Sequence, residues 1–398
     1  MTEIVVLTSA IIYVLLLFAV ASYGDRRGQR GNNNRSRPYV YAFSLAIYCT
    51  SWTFFGSVGL AAERGLEYLA IYIGPVLVFT FGYRFLRRIV RLAKSERITS
   101  VADMLAARYG KSFGVASLAT CIAALAAVPY IAIQLKAISG SFDLFTRHLG
   151  GTMMAGEFVI ADFSFLVAAA LGLFAILFGT RHADATEHQN GLILAVAVES
   201  MIKLTAFLAA GVAVTFFLFG APSELFASIQ TNAAATAALN YQTPISTWLV
   251  LISLSGFAII LLPRQFHVMI VENRDERELR TAAWLFPLYL VAINLFVLPI
   301  ALAGLTHLPS GTPADLFVLA LPLKAGANWL SLLIFIGGLS AATAMVIVAS
   351  VALSIMISND LVLPLMLRRY AGKERGRDED MPATILNVRR AAIFFIMI

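Results

Sequence analysis

The chain has 398 residues, of which 59% are hydrophobic and 13% charged, against about 45–50% apolar and about 25% charged in an average soluble domain. That leaves too little polar side chain to cover a water-facing globule, so an ordinary soluble enzyme, a disordered chain and a nucleic-acid-binding domain are excluded, and lipid is the expected solvent. The net charge of +7 comes from Lys and Arg in short segments between apolar runs, where it reports orientation in the bilayer rather than a polyanionic partner.

A membrane-spanning helix needs about 20 mostly apolar residues. Runs of that kind begin near Ile4, Tyr39, Tyr68, Phe113, Phe158, Gly191, Ser246, Thr281 and Ala327, so nine spans are predicted. A tenth opens near Leu386, with only the short run from Ala391 before Ile398. A half-helix ending in lipid would leave backbone groups unsatisfied, so the expectation is a chain cut inside its tenth helix, the front part of a longer protein. The first run, Ile4 to Ala21, ends in Ala19-Val20-Ala21, which has the look of a small-residue cleavage site. Glu3 rather than Lys or Arg precedes it, however, and Arg26, Arg27, Arg30, Arg35 and Arg37 follow. This is the charge order of an N-out anchor that stays in place.

Alternate loops are then cytoplasmic, and all but five of the 30 lysines and arginines fall in them. They cluster at 26–37, 84–111, 264–280 and 368–390, with Arg181 in a weaker loop. Arg64, Lys136, Arg147 and Lys324 fall outside, and Lys203 falls within the sixth span. One missed or invented span would scramble this alternation.

Transporters built from inverted repeats bind substrate where two matching helices break near the membrane centre. Two polar, glycine-bearing stretches stand five spans apart here. The second span holds Cys49-Thr50-Ser51-Trp52-Thr53-Phe54-Phe55-Gly56-Ser57-Val58-Gly59, and the seventh holds Ser253-Leu254-Ser255-Gly256 with Pro263 further on. Other spans carry Gly and Pro too, as membrane helices commonly do, so the spacing leaves both readings open. Thr50, Ser51, Trp52, Phe55, Ser255 and Gln134 are the residues expected around a small-molecule solute.

Ionisable residues inside a span have a partner or a role. Glu199 and Lys203, at i and i+4 on one face of the sixth span, fit either a self-neutralised pair or a proton relay. Asp162 is expected at an interface, and Lys136 is expected to snorkel. Cys49 and Cys121 lie in apolar runs and are expected to be packed thiols. The 5 histidines show no ligand spacing, so neither metal nor cofactor is expected. Gly110-Lys111-Ser112 lacks the upstream glycine of a phosphate loop, and HExxH and strand-linked GxGxxG motifs are missing, so no catalytic residues are expected in 1–398.

Several stretches resemble the sodium:solute symporter family over nearly the whole chain. These are Ser100-Val101-Ala102-Asp103-Met104-Leu105-Ala106-Ala107-Arg108-Tyr109-Gly110, Tyr130 to Ser139, and the spacing of Trp52, Gly56 and Gly59. The resemblance implies an all-α polytopic membrane protein with the five-plus-five inverted-repeat fold preceded by one extra helix. Leu261 to Asn273, Gly337 to Val348, and Ser358-Asn359-Asp360-Leu361-Val362 before Pro364 resemble, more narrowly, members fused to sensor histidine kinases of the carbon and nitrogen regulatory type. That implies an amino acid, histidine favoured, as solute, a bacterial inner membrane, and beyond Ile398 kinase domains that signal to a response regulator.

The family's ion would lie near the carbonyls of Ala46 and Cys49, against paired Ser/Thr hydroxyls on the eighth core helix. At the latter positions, aligned on Ser358-Asn359-Asp360, this chain has Ala344 and Met345. Thr343 or Ser340 could substitute if the helix is rotated, and Ala341 between them is counted with the expected ion-coupling residues. Na+ coupling, H+ coupling through Glu199 and Lys203, and sensing alone therefore stand open. So do three roles: a sensory solute-binding domain, a stand-alone symporter, and a membrane anchor without solute binding.

Overall fold

A computed structural model describes residues 3–30, 36–148, 163–180, 188–220, 222–370 and 381–397. Among these residues every regular element is helical. Helix α1 (Glu3–Arg30) is the extra first span. The second span is broken: α2 (Pro38–Ser44) tightens into a 3-10 turn at Leu45–Tyr48. Cys49 then leaves the helical region at φ −80°, ψ 95°, and the chain restarts as a π turn, Trp52–Gly56, leading into α3 (Ser57–Arg64). After a turn at Gly65, where φ is +56°, come α4 (Ala70–Thr80), α5 (Tyr83–Ser95) and the short α6 (Val101–Arg108). Next are α7 (Phe113–His148), α8 (Phe163–Gly179) and α9 (Asn190–Ala213).

Two short helices, α10 (Pro222–Thr231) and α11 (Ala233–Leu239), lead to the second broken span. There α12 (Ile245–Leu261) stops and α13 (Pro263–Phe266) restarts, continued by a π turn at His267–Val271. The chain goes on through α14 (Glu276–Asn294), α15 (Val297–His307), α16 (Phe317–Lys324), α17 (Asn328–Met356), α18 (Leu363–Tyr370) and α19 (Met381–Met397).

The nine expected spans map onto this order with corrections. Among the described residues five are unbent helical stretches long and apolar enough to cross a bilayer, and two are the bent ones, at 67° and 55°. The spans expected from Tyr68 and Phe158 are shorter: α4 turns at Phe81 and Gly82 into α5, and α8 has 17 residues. The start of the latter span, with Asp162, lies outside the described residues. The tenth helix opens at Met381 rather than near Leu386.

The second break also differs in place. It falls at Leu262 (φ −63°, ψ 127°), past Ser253 to Gly256, because a residue before proline is pushed out of the α region while Pro263 itself suits a first helical turn. Arg264, expected in a cytoplasmic loop, is therefore at this mid-span break and is buried.

Helix α17 is the centre of the bundle, nearly every residue from Ser331 to Met356 being buried. It packs on α9 and α7, and α1 lies against α9. There Gly191 comes so near Ala21 that an added Cβ would lie 2.3 Å from its carbonyl oxygen. Asp25 accepts the Gly191 N–H at 2.7 Å, supplying one of the acceptors that the start of a helix requires.

Candidate functional site

The two breaks face each other. Gln265, just after the second, donates its Nε2 to the Leu45 carbonyl beside the first, at 3.2 Å. Breaking a helix frees carbonyls that lipid cannot satisfy, and at the first break a buried cation takes up the freed Cys49 carbonyl together with that of Ala46, which also accepts the Cys49 N–H. Lys203 of α9 donates Nζ to the Ala46 carbonyl at 2.8 Å and to the Cys49 carbonyl at 2.7 Å. These are the two carbonyls near which the family resemblance implied an ion.

Glu199, one turn earlier on α9, is equally buried but turns to other partners. Its Oε1 accepts from the Tyr13 hydroxyl at 2.8 Å and from the Thr343 hydroxyl at 2.5 Å. Ser340 donates to the Glu199 backbone carbonyl at 2.7 Å. The spacing that pairs Glu199 with Lys203 thus gives way to longer-range contacts, and Glu199 Oε2 is buried with no hydrogen-bond partner. Ala341 is buried between these hydroxyl residues, inside an unbroken helix.

A cavity of about 710 Å³ lies against both breaks. Tyr48, Thr50, Trp52 and Thr53 line it from the first break and Pro263 and Arg264 from the second. Its far end runs along α7 and α17 to Val101 and Leu105 of α6. The volume suits a small organic molecule. Thr50 Oγ1 and the Tyr130 hydroxyl lie 2.9 Å apart in its wall, and the Arg264 guanidinium stacks over the Tyr130 ring, 5.1 Å from its centroid. Arg264 Nε is buried without a hydrogen-bond partner. A buried cation left this way is unstable on its own terms and suits an anionic guest.

Of the residues expected around a solute, Thr50 and Trp52 line the cavity. Ser51 and Gln134 form the hinge behind it: Gln134 Oε1 accepts the Ser51 N–H at 3.0 Å and its hydroxyl at 2.7 Å. Phe55 is packed over Gly338, whose added Cβ would meet the ring at 2.3 Å. Ser255 donates to the Ala70 carbonyl at 3.0 Å and so joins α12 to α4. Arg264, Tyr48 and Tyr130 were not placed there by spacing. The one signal available was an arginine directly after Leu262-Pro263 inside an apolar run.

The end of the fold that carries the basic clusters is closed by a polar knot. Asn190 Oδ1 accepts from Arg37 Nη2 at 2.5 Å and from Arg274 Nη2. Glu278 accepts the backbone N–H of Arg37 at 2.7 Å and of Arg274 at 2.8 Å. Beside it, Glu272 accepts the Gln189 N–H at 3.0 Å, with imidazole nitrogens of His267 and His188 at 3.5 and 3.7 Å. Burial pushes the Glu272 carboxyl up, but the two imidazoles outweigh it and hold it down to about 2. A second polar cluster joins α7 to the end of α17. Thr120 and Ser117 donate to the Asp360 carboxylate and carbonyl at 3.0 and 2.9 Å, and Arg389 of α19 reaches Asn359 at 3.3 Å.

No family model matches the sequence, and no curated protein matches it. Among solved structures the chain is similar to the substrate-bound, outward-open state of a Na+-coupled sialic acid symporter. The TM-score is 0.65 at 18% identity, over 98% of this chain and 80% of that one. The chain is an all-α, multi-pass membrane protein with a transporter fold.

Proposed function

We propose that the chain is a symporter-like domain of a bacterial inner membrane, N-terminus outside, that binds and carries a small carboxylate-bearing solute. An amino acid, with histidine favoured, is the solute class, and occupancy is the sensory input to a two-component histidine kinase that acts on a response regulator. The observation that carries the solute reading is Arg264. A guanidinium without a carboxylate partner among the described residues, stacked on Tyr130 at a helix break and facing a cavity of about 710 Å³, suits the bidentate grip that arginine gives a carboxylate. The likeness to a symporter supports carriage.

For the sensory role, support comes from the contacts of Asp360 and Asn359. They link α7, whose residues line the cavity, to α19, the last helix described. A solute that prefers one arrangement of the cavity helices would bias that link by population shift.

The test is thermal unfolding of the purified chain in detergent against a panel of the standard amino acids and histidinol. A saturable rise in Tm with L-histidine or another amino acid, and none with the carboxylate-free histidinol, is the expected result. No saturable rise with any amino acid would sink the reading.

A further inference from the structure

Lys203 is a fully buried charge that does not line the cavity. Its ammonium stands where the first helix break brings two carbonyls together, 2.8 Å from Ala46 O and 2.7 Å from Cys49 O. We infer that Lys203 is a built-in cation at this break, taking the place that a recruited sodium ion would otherwise fill, so that the domain works without sodium.

Three observations carry this. First, a hard cation is held by converging oxygen ligands, and the two backbone oxygens available here already accept from an ammonium. Second, the hydroxyls that could complete an oxygen cage are committed elsewhere: Thr343 donates to the Glu199 carboxylate and Ser340 to the Glu199 carbonyl. At 344 and 345 the buried helix offers only Ala and Met side chains, which bring no oxygen. Third, an ion entering the site would meet the Lys203 charge at contact distance in a low-dielectric interior, where like charges repel strongly. The remaining groups around Lys203 are Glu199 one turn back, held by Tyr13 and Thr343, the Cys49 thiol and Arg264. None of these brings an unoccupied backbone carbonyl to a second cation.

The arrangement also explains why a fully buried lysine is tolerated without a carboxylate on its head group. The Ala46 carbonyl also accepts the Cys49 N–H at 3.0 Å, but the Cys49 carbonyl is left by the break to the lysine, which satisfies it in the membrane interior, so lysine and break stabilise one another. Sodium independence deepens the carrier reading and rests on it. The first measurement below uses no solute, so the two can fail separately.

Radiolabelled sodium is titrated onto the purified, solute-free wild-type chain in a scintillation-proximity assay. The expected result is no saturable binding that unlabelled sodium displaces; saturable, displaceable binding overturns the proposal. The second measurement removes the ammonium with Lys203→Ala and follows Tm in choline, sodium, methylammonium and tetramethylammonium chloride at equal ionic strength. The variant is expected to melt lower than wild type and to regain a few degrees in methylammonium or sodium by mass action, with no gain in the bulkier tetramethylammonium and no response of wild type. A folded variant that responds to none of them, or equally to all, overturns it too. Should the variant fail to fold, the sodium titration on wild type still decides.

Discussion

Tyr13 donates its hydroxyl to Glu199 at 2.8 Å, across 186 positions of sequence. The bond joins the first helix to the sixth span at a fully buried carboxylate, and Thr343 shares the same oxygen. Because Glu199 Oε2 has no partner, removing the tyrosine hydroxyl leaves a buried carboxylate with a single side-chain donor. Tyr13→Phe is expected to destabilise the protein by about 1–3 kcal/mol, the usual effect of stripping a donor from a buried acceptor. Equilibrium unfolding in a mixed-micelle denaturant series measures it. An unchanged midpoint would mean that α1 is held by apolar packing alone.

Arg264→Leu separates binding from stability. If the guanidinium grips a carboxylate, its loss removes an ionic hydrogen-bonded contact of about 2–5 kcal/mol, which is roughly 30- to 4,000-fold in Kd. The solute-free protein, in contrast, is expected to keep or gain Tm, since an unpaired buried charge has been replaced by an apolar side chain. Arg264→Lys keeps the charge and loses both the fork and the stacking on Tyr130, so intermediate affinity is expected. Isothermal titration and thermal melts on the three proteins give both quantities. Equal losses of Tm and affinity in Arg264→Leu would mark Arg264 as a structural residue.

How far these features could be read in advance follows from their range along the chain. Spans are a one-dimensional property, a run of apolar residues as long as the bilayer is thick, and the order of the helices was legible for that reason. The break at Leu262 was also legible, through the local effect of Pro263, although the hydroxyls and Gly256 drew it to Ser253–Gly256. The break at Cys49 has no proline behind it. It is held by Gln134 and Lys203, from 83 and 154 positions away, and no periodicity carries such contacts. For the same reason Lys203 looked like the partner of Glu199, its neighbour on the helix face, when both reach across the bundle. Arg264 was counted with the cytoplasmic charges because charge sorting assigns each arginine to its nearest loop. Its cavity exists only once α7 and α17 close around it.

Glu272 gives a pH dependence of defined sign. In the folded chain its carboxyl sits at about 2, against 4.5 for an unperturbed glutamate, so the folded state binds that proton less readily than the unfolded one. The stability it contributes is therefore complete above about pH 4.5 and is lost as the pH falls from there toward 2. Glu272→Gln is expected to lower Tm at neutral pH and to flatten the acid limb of the Tm–pH curve over that interval. Parallel curves for the two proteins between pH 3 and 5, taken in the spirit of the linkage relation, would contradict it.

Gln134 acts on the site from behind it. Its Oε1 accepts both the backbone N–H and the hydroxyl of Ser51, at 3.0 and 2.7 Å, and so fixes the residue from which the broken second span restarts. Gln134→Leu leaves that buried N–H without an acceptor and is expected to cost about 1–3 kcal/mol of stability. Ser51→Ala removes only the hydroxyl and keeps the backbone bond, so a smaller loss is expected. Since Thr50 and Trp52 line the cavity on either side of Ser51, loosening the restart should also weaken solute binding, through residues that Gln134 positions. The ranking to measure, in both Tm and Kd, is wild type, then Ser51→Ala, then Gln134→Leu. A Gln134→Leu protein that melts and binds like wild type would show that the hinge is held by the surrounding apolar packing, with Gln134 a bystander.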